Sequence, residues 1–110
     1  MEIGAREAAL GNHTRAVAMV RELQARNPAN VELQVAVGLA LASRADAYAA
    51  FARRSSTGAA RARDLEAAER DYAESVEIFT RLQQAGSIQG TDLEILDNNR
   101  KALERVRAER

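Results

Sequence analysis

Apolar residues recur at steps of three and four along most of the chain, which is the spacing of one face of an α-helix. Turn residues divide this pattern into five predicted helices, at 2–10, 13–26, 31–53, 59–85 and 91–110. The predicted core faces are Ala16, Val20 and Leu23 in the second helix; Leu33, Val37, Leu41, Tyr48 and Phe51 in the third; Leu65, Ala68, Tyr72, Val76, Phe79 and Leu82 in the fourth; and Leu93, Leu96, Leu103 and Val106 in the fifth. The pattern therefore predicts an all-α protein.

The third segment also carries a strand pattern. Its apolar residues at 31, 33, 35, 37, 39 and 41 alternate strictly, which is typical of a β-strand. The positions between them include Ala36 and Ala40, so no polar face emerges, and no second strand-like run could satisfy the backbone. A helix is favoured, and because it is apolar on most sides we expect it to lie between neighbouring helices.

Turn residues predict where the helices begin and end. Gly11 is expected to end the first helix as a C-cap, and Pro28 to end the second. Asn30 is then a suitable N-cap for the third helix. The remaining signals are 55–58 before the fourth helix, Gly86 after it, and a capping box at 91–94 that opens the fifth.

Composition removes several classes of function. The chain has 110 residues with 24 Ala, 15 Arg, one His and no Cys, and it carries 16 basic and 16 acidic side chains. The lack of Cys excludes disulfide frameworks and thiolate metal sites. Balanced charge argues against nucleic acid or an anionic membrane as the main partner. The longest uncharged apolar run, 35–42, is short against the roughly 20 residues of a membrane span, and no signal-peptide pattern is present, so we expect a soluble cytoplasmic protein.

Few side chains are candidates for chemistry. His13 has no ligating or catalytic partner beside it and is expected to pack where the first two helices meet. The acids of the fourth helix are expected to form a solvated face, with Glu66 paired to Arg70 and Glu77 to Arg81. The sequence has no Gly-rich phosphate loop, Ser/His/Asp set or nucleophilic Cys. It therefore predicts no enzyme activity, no metal site and no cofactor.

Residues 53–56, Arg-Arg-Ser-Ser, resemble a basic-directed phosphorylation site, and Arg61 and Arg63 add to a basic tip. Such short strings are common by chance, so an exposed turn with N-capping hydroxyls is favoured. Whether Ser55 or Ser56 is modified stays open. The tip lacks the interleaved aromatic residues of single-strand nucleic-acid surfaces.

Two glycines, Gly4 and Gly38, lie 34 residues apart, and each follows an apolar residue. In the first unit Gly11, Ala16 and Pro28 follow Gly4 in order. This spacing resembles the tetratricopeptide repeat (TPR), whose period is 34 residues. In that repeat the small residues allow close approach of paired helices, the second Gly turns the chain, and the Pro ends the second helix.

The second unit departs from this pattern. Tyr72, Ser75 and Phe79 match the start of the first unit's second helix, but they come 25 residues later than the pattern requires. An insertion of that length is about seven helical turns, so it would lengthen both helices of the hairpin. The stretch 71–79 is also similar to TPR-type tails of bacterial multidomain proteins, which would make this chain a C-terminal fragment of a larger regulatory protein.

The resemblance implies an all-α fold of TPR-like antiparallel helical hairpins, an α–α superhelix. Residues 1–110 would form a single domain. Within it, 1–30 would be the first repeat, 31–86 an elongated second repeat and 91–110 a C-terminal capping helix with a polar outer face.

The resemblance also implies a non-catalytic function in protein–protein interaction, because the first helix of each TPR unit lines a groove. The groove residues carried onto this chain are Ala5, Ala8, Ala9, Glu32, Val35, Leu39, Ala42 and Ser43. Val35 and Leu39 stand where chaperone-binding TPR proteins need a polar carboxylate clamp, so apolar contact with a protein or peptide is expected, and neither nucleic acid nor membrane. The alternative is structural self-association, in which a second copy covers an open N-terminal face.

Overall fold

Four long helices make up most of the chain in the computed structural model. The structure describes Glu2–Arg110, with side chains from Gly4 onward, so Met1 and the side chains of Glu2 and Ile3 lie outside the described residues. The helices are α1 (Glu2–Arg26), α2 (Val31–Arg54), α3 (Gly58–Gln84) and α4 (Thr91–Glu109). No strand occurs among the described residues, and the all-α prediction is confirmed.

The first helix is continuous, and the predicted break at Gly11 is wrong. Leu10 and Val17 are both buried, and their spacing of seven residues is about two helical turns. Only an unbroken helix places both side chains on the face that contacts the rest of the protein. Their burial offsets the helix-propensity cost of about 1 kcal/mol at Gly11. The first predicted repeat is therefore one helix and a turn, and not two helices.

The second helix confirms the preference for helix over strand. The side-chain oxygen of Asn30 accepts a hydrogen bond from the backbone N–H of Leu33 at 2.9 Å, so the predicted N-cap is present. Glu32 lies in the first turn, and Arg53 and Arg54 lie in the last. These charges complement the helix dipole at both ends.

The end of α3 forms a Schellman motif. The N–H of Ser87 donates to the carbonyl of Leu82 at 2.9 Å, and the N–H of Gly86 donates to the carbonyl of Gln83 at 3.0 Å. Gly86 has a φ of 71°, a conformation that favours glycine. The predicted stop at Gly86 is confirmed.

The starts of α3 and α4 differ. Thr57 caps α3 through its hydroxyl, as expected for the 55–58 break. The capping box predicted at 91–94 is wrong, because Thr91 is already helical and Gly90 precedes it with a φ of 61°. The N–H groups of Leu93 and Glu94 donate to the carbonyl of Gly90, at 3.0 and 3.3 Å. Backbone geometry at a glycine thus replaces a side-chain cap.

Three apolar clusters show how the helices are arranged. Val17, Val37 and Leu41 form a cluster between α1 and α2, with Ile78 of α3 against it. A second cluster joins α2, α3 and α4 through Ala45, Ala49, Ala52, Leu65, Ala68, Tyr72, Ala102, Leu103 and Val106. A third joins α3, α4 and their connecting loop through Phe79, Leu82, Ile88 and Leu96, with Val31 and Val35 of α2 against it. Helices α2 and α3 are therefore the central pair, and they contribute to all three clusters.

Helices α2 and α3 approach each other closely at Gly38. The hydroxyl of Ser75 donates to the carbonyl of Gly38 at 2.7 Å, and the amide of Asn99 donates to the Ser75 hydroxyl at 3.1 Å. A Cβ at Gly38 would lie 2.6 Å from Cε2 of Phe79, whose ring is completely buried. The small size of Gly38 and Ser75 therefore allows α2 and α3 to approach closely.

One described helix, α2, is long and apolar enough to cross a bilayer when up to two charged residues are tolerated. A core helix of a water-soluble protein and a signal sequence satisfy the same criterion. Seven residues of α2 are buried in the fold, and Arg44 on this helix is paired with a buried carboxylate of α3. These contacts favour the interpretation of α2 as a core helix.

Candidate interaction surface

The eight residues predicted to line a groove have different environments in the structure. Val35 and Ala9 are half-buried, and Ala42 is buried. The exposed members of the set are Ala5, Ala8, Glu32, Leu39 and Ser43. Val35 packs at the edge of the cluster around Phe79, so it contributes to the core of the domain.

The structure does not bring the eight residues together. The guanidinium of Arg6 lies 5.7 Å from the ring centroid of Phe51, so the start of α1 is beside the end of α2. Glu32 lies at the other end of α2, roughly 28 Å from Phe51 at 1.5 Å per residue. The alanines of α1 and the first turn of α2 are therefore at opposite ends of the α1/α2 hairpin.

A different surface stands out by its exposure. Among the described residues, three large apolar side chains are exposed: Met19 at 63%, Leu23 at 41% and Leu39 at 40%. Ala16 is also exposed, and with Met19 and Leu23 it follows the three-and-four spacing of one helix face. We call Ala16, Met19, Leu23 and Leu39 the apolar surface. Sequence reasoning predicted Ala16 and Leu23 for the core, which is wrong.

The apolar surface lies on the side of α1 and α2 that is opposite the cluster they share with α3. Met19 is two residues from the buried Val17, and Leu39 is two residues from the buried Val37. Two residues turn a helix by about 200°, so both side chains point away from the cluster that α1 and α2 share with α3. The antiparallel pairing seen at Arg6 and Phe51 places Met19 and Leu39 at nearly the same level of the hairpin.

Polar contacts hold α1 to α3 at two levels. Arg21 donates to both carboxylate oxygens of Glu74, at 2.7 and 2.9 Å, and these hydrogen bonds lower the pKa of Glu74 below its ordinary value. Arg6 donates to the buried Asp64 at 2.5 Å. Both pairs orient α1, so they fix which of its faces meets solvent.

A more buried pair joins α2 to α3. Arg44 donates to both oxygens of Asp71, at 2.7 and 3.0 Å, and the two side chains are only 15% and 2% exposed. The hydrogen bonds raise the pKa of Arg44 above its ordinary value. Burial, together with the hydrogen bond to Asp46, raises the pKa of Tyr72. Every buried side-chain nitrogen and oxygen in the described part of the chain has a hydrogen-bond partner.

The side chains considered for chemistry have structural partners. His13 is half-buried within α1, so its predicted place at a junction of two helices is wrong. Glu77 pairs with Arg81, as predicted. Glu66 lies 3.7 Å from Arg110 of α4, and the predicted pair with Arg70 is not among the ion pairs of the described residues. No group of three or more His, Asp or Glu side chains in 4–110 is placed to hold a metal ion.

The basic tip at the α2/α3 turn is partly neutralised. Arg53 and Arg61 lie 3.3 and 3.6 Å from Glu109 near the end of α4. Ser55 donates its hydroxyl to the carbonyl of Phe51, and Thr57 caps α3. An open cleft of about 730 Å³ lies beside the tip; its lining includes Arg6, Arg54, Arg63, Tyr48, Ser56 and Asp64.

In comparisons with known proteins, no protein-family model, curated protein or solved structure matches this chain. Two signals could have located the apolar surface from sequence: the steps from Ala16 to Met19 and Leu23, and the fact that α1 has apolar residues on several sides. The second signal also explains the wrong assignment, because such a helix does not by itself indicate which side is buried.

Proposed function

We propose that this chain is a non-catalytic protein–protein interaction module, of the TPR-like kind, that binds a protein or peptide through the apolar surface. The supporting observation is the exposure of Met19, Leu23 and Leu39, since the other large apolar side chains of the described chain are buried or half-buried. Exposed apolar clusters on small proteins commonly mark interaction sites. Methionine adapts well to partner surfaces.

Helix order supports the TPR-like part of the proposal. Each helix runs antiparallel to the next, and α1 reaches α3 through Arg6 and Arg21, while α2 shares a cluster with α4. Stacked helical hairpins have contacts of this kind. A cytoplasmic location is proposed from the sequence pattern, and a bacterial multidomain parent protein is proposed from the sequence resemblance alone.

Affinity capture with matched variants tests this function. The immobilised wild-type chain, Met19→Glu and Ala18→Glu are exposed to extract of the native host, and captured proteins are identified by mass spectrometry. Ala18 is exposed and lies about 100° around α1 from Met19, so its variant adds the same charge outside the apolar surface.

A partner that binds this surface is retained by wild type and by Ala18→Glu and is lost from Met19→Glu. Circular dichroism should show equal helix content in all three chains. Equal capture by Met19→Glu and wild type would contradict the proposal. Recovery of the chain itself would support the self-association alternative.

A further inference from the structure

The outer side of α1 carries a stripe whose two halves differ in size. The stripe follows the three-and-four spacing and consists of Ala5, Ala9, Asn12, Ala16, Met19 and Leu23. Its first half has only small side chains and one amide, whereas its second half ends in two large apolar side chains. All six are exposed except Ala9, which is half-buried.

The large and small side chains of the stripe fit against each other when two copies of α1 pack antiparallel. If a second α1 runs in the opposite direction with its two-fold axis at residue 14, Ala5 faces Leu23 and Ala9 faces Met19. Asn12 then faces Ala16. Each large side chain meets a small one, which is how well-packed helix interfaces interdigitate. A parallel arrangement would place Met19 against Met19 and Ala5 against Ala5, with overlap at one end and a void at the other.

Charge gives a second argument for this partner. The chain is neutral overall, with 16 basic and 16 acidic side chains, so two copies approach without net repulsion. Among the exposed charged side chains of α1, Arg15 and Arg26 balance Glu7 and Glu22, and Arg21 is paired with Glu74 of α3. Neither a strongly acidic nor a strongly basic partner would gain from this face.

The symmetric arrangement also covers α2. Leu39 is exposed at nearly the level of Met19, on a side of the hairpin that points away from α3. A helix that lies along the stripe comes next to the exposed side of α2, so Leu39 would also contact it. Two-fold symmetry gives the same contact in both copies.

Resting on the proposed function, which makes this face an interface, we propose that its partner is a second copy of the chain. The two α1 helices pack antiparallel about a two-fold axis near residue 14, and the large side chains of each insert against the small residues of the other. The interface is isologous, so every contact occurs twice.

Analytical ultracentrifugation of the purified chain over a range of concentrations tests whether the dimer forms. Wild type and Ala18→Glu should dimerise with similar dissociation constants, and Met19→Glu should weaken the dimer by about tenfold or more, since each dimer carries the substitution twice. A wild-type chain that stays monomeric at the highest concentration overturns the proposal, as does equal dimerisation of Met19→Glu.

Disulfide trapping tests the direction of the helices, and the chain suits it because it has no Cys of its own. Ala5→Cys mixed with Leu23→Cys should give a cross-linked heterodimer under mild oxidation. Leu23→Cys alone should not cross-link, because the antiparallel register separates the two Leu23 positions by about 27 Å. Cross-linking of Leu23→Cys alone at the rate of the mixture would overturn the antiparallel arrangement.

These experiments separate the dimer from the broader function. A monomeric wild type whose captured partner is lost only in Met19→Glu refutes self-association and leaves the interaction module in place. A monomeric wild type whose capture does not change in Met19→Glu refutes both.

Discussion

Gly4 and Gly38 occupy equivalent positions in the 34-residue sequence pattern, but their surroundings differ completely. Beyond its chain neighbours and the adjoining helix backbone, a Cβ at Gly4 would meet no atom of the described residues within 4 Å, whereas a Cβ at Gly38 would overlap the ring of Phe79. In the hairpin of α2 and α3, Gly38 allows the two helices to approach closely. Gly4 of α1 has no such role, so equal spacing in the sequence does not produce equal packing.

The ion pairs of the two regions differ in the same way. Arg44 and Asp71, which join α2 to α3, are nearly removed from water. Arg21 and Glu74, which join α1 to α3, are 44% and 40% exposed. The same pairing chemistry is therefore structural in one place and a weak attachment in the other. The buried pair therefore holds α2 to α3 more firmly than the exposed Arg21–Glu74 pair holds α1 to α3.

The largest expected effect comes from removing one partner of the buried pair. Arg44→Met leaves the Asp71 carboxylate buried without its partner, and we expect the free energy of unfolding to fall by about 3 kcal/mol. The matched variant Arg21→Met should lose less than about 1 kcal/mol, because its pair is exposed. Urea denaturation followed by circular dichroism measures both values. Equal losses would contradict the contrast between the two regions.

Replacing Gly38 and replacing Gly11 by alanine should change the free energy of unfolding in opposite directions. Gly38→Ala forces Phe79 to move within a filled core, and we expect a loss of about 2 kcal/mol. Gly11→Ala lies inside α1 with its nearest contact at 3.6 Å, and it should gain up to about 1 kcal/mol from helix propensity. Thermal denaturation of both variants is the check. A stabilised Gly38→Ala would show that the close approach is not required.

Within α1, truncation should distinguish the buried from the exposed side. Val17→Ala removes two methyl groups from the cluster with Val37 and Leu41, and we expect a loss of about 1.5 kcal/mol. Met19→Ala should change the stability of the monomer by less than about 0.5 kcal/mol, because the side chain is mostly in solvent. The measurement is denaturation at a concentration below the dimer dissociation constant. Similar losses from both variants would contradict the orientation of α1.

Acid should loosen the attachment of α1 slightly. The pKa of Glu74 is lowered in the folded state, so its pairing contributes stability above the ordinary pKa of 4.5, and this contribution is lost as the pH falls through the folded-state value. Exposure to solvent keeps the effect small. Between about pH 6 and pH 3, Glu74→Gln should lose less stability than wild type. Identical pH profiles would show that the pair contributes nothing.

A predicted helix end is confirmed where the turn residue and the buried side chains favour the same boundary. Gly86 ends α3, and the loop after it lets Ile88 pack against Phe79 and Leu82. Gly11 has the same residue type, but continuing the helix there buries Val17 on the face of Leu10. A glycine permits a helix to end and does not require it. Whether the helix ends there depends on which side chain the next turn would bury. The tertiary structure determines that burial.

The candidate site was harder to predict than the fold. The groove residues were placed by analogy with a two-helix first repeat, and that repeat is a single helix. Leu39 was included and is exposed, whereas Ala42, three residues later on the same helix, is buried. Because α1 is apolar on several sides, only its contacts with α2 and α3 determine that Met19 and Leu23 face solvent.

The order of helix contacts along the chain has a consequence for folding. The main contacts join α1 to α2, α2 to α3 and α3 to α4 across short connections, so little loop-closure entropy opposes them and folding should be fast. Helix α1 leaves the ribosome before α2, α3 and α4, so the partners that bury Val17 are synthesised after it. An isolated helix of this length is only marginally stable in water. Among the four described helices, α1 is thus synthesised before any of its tertiary partners.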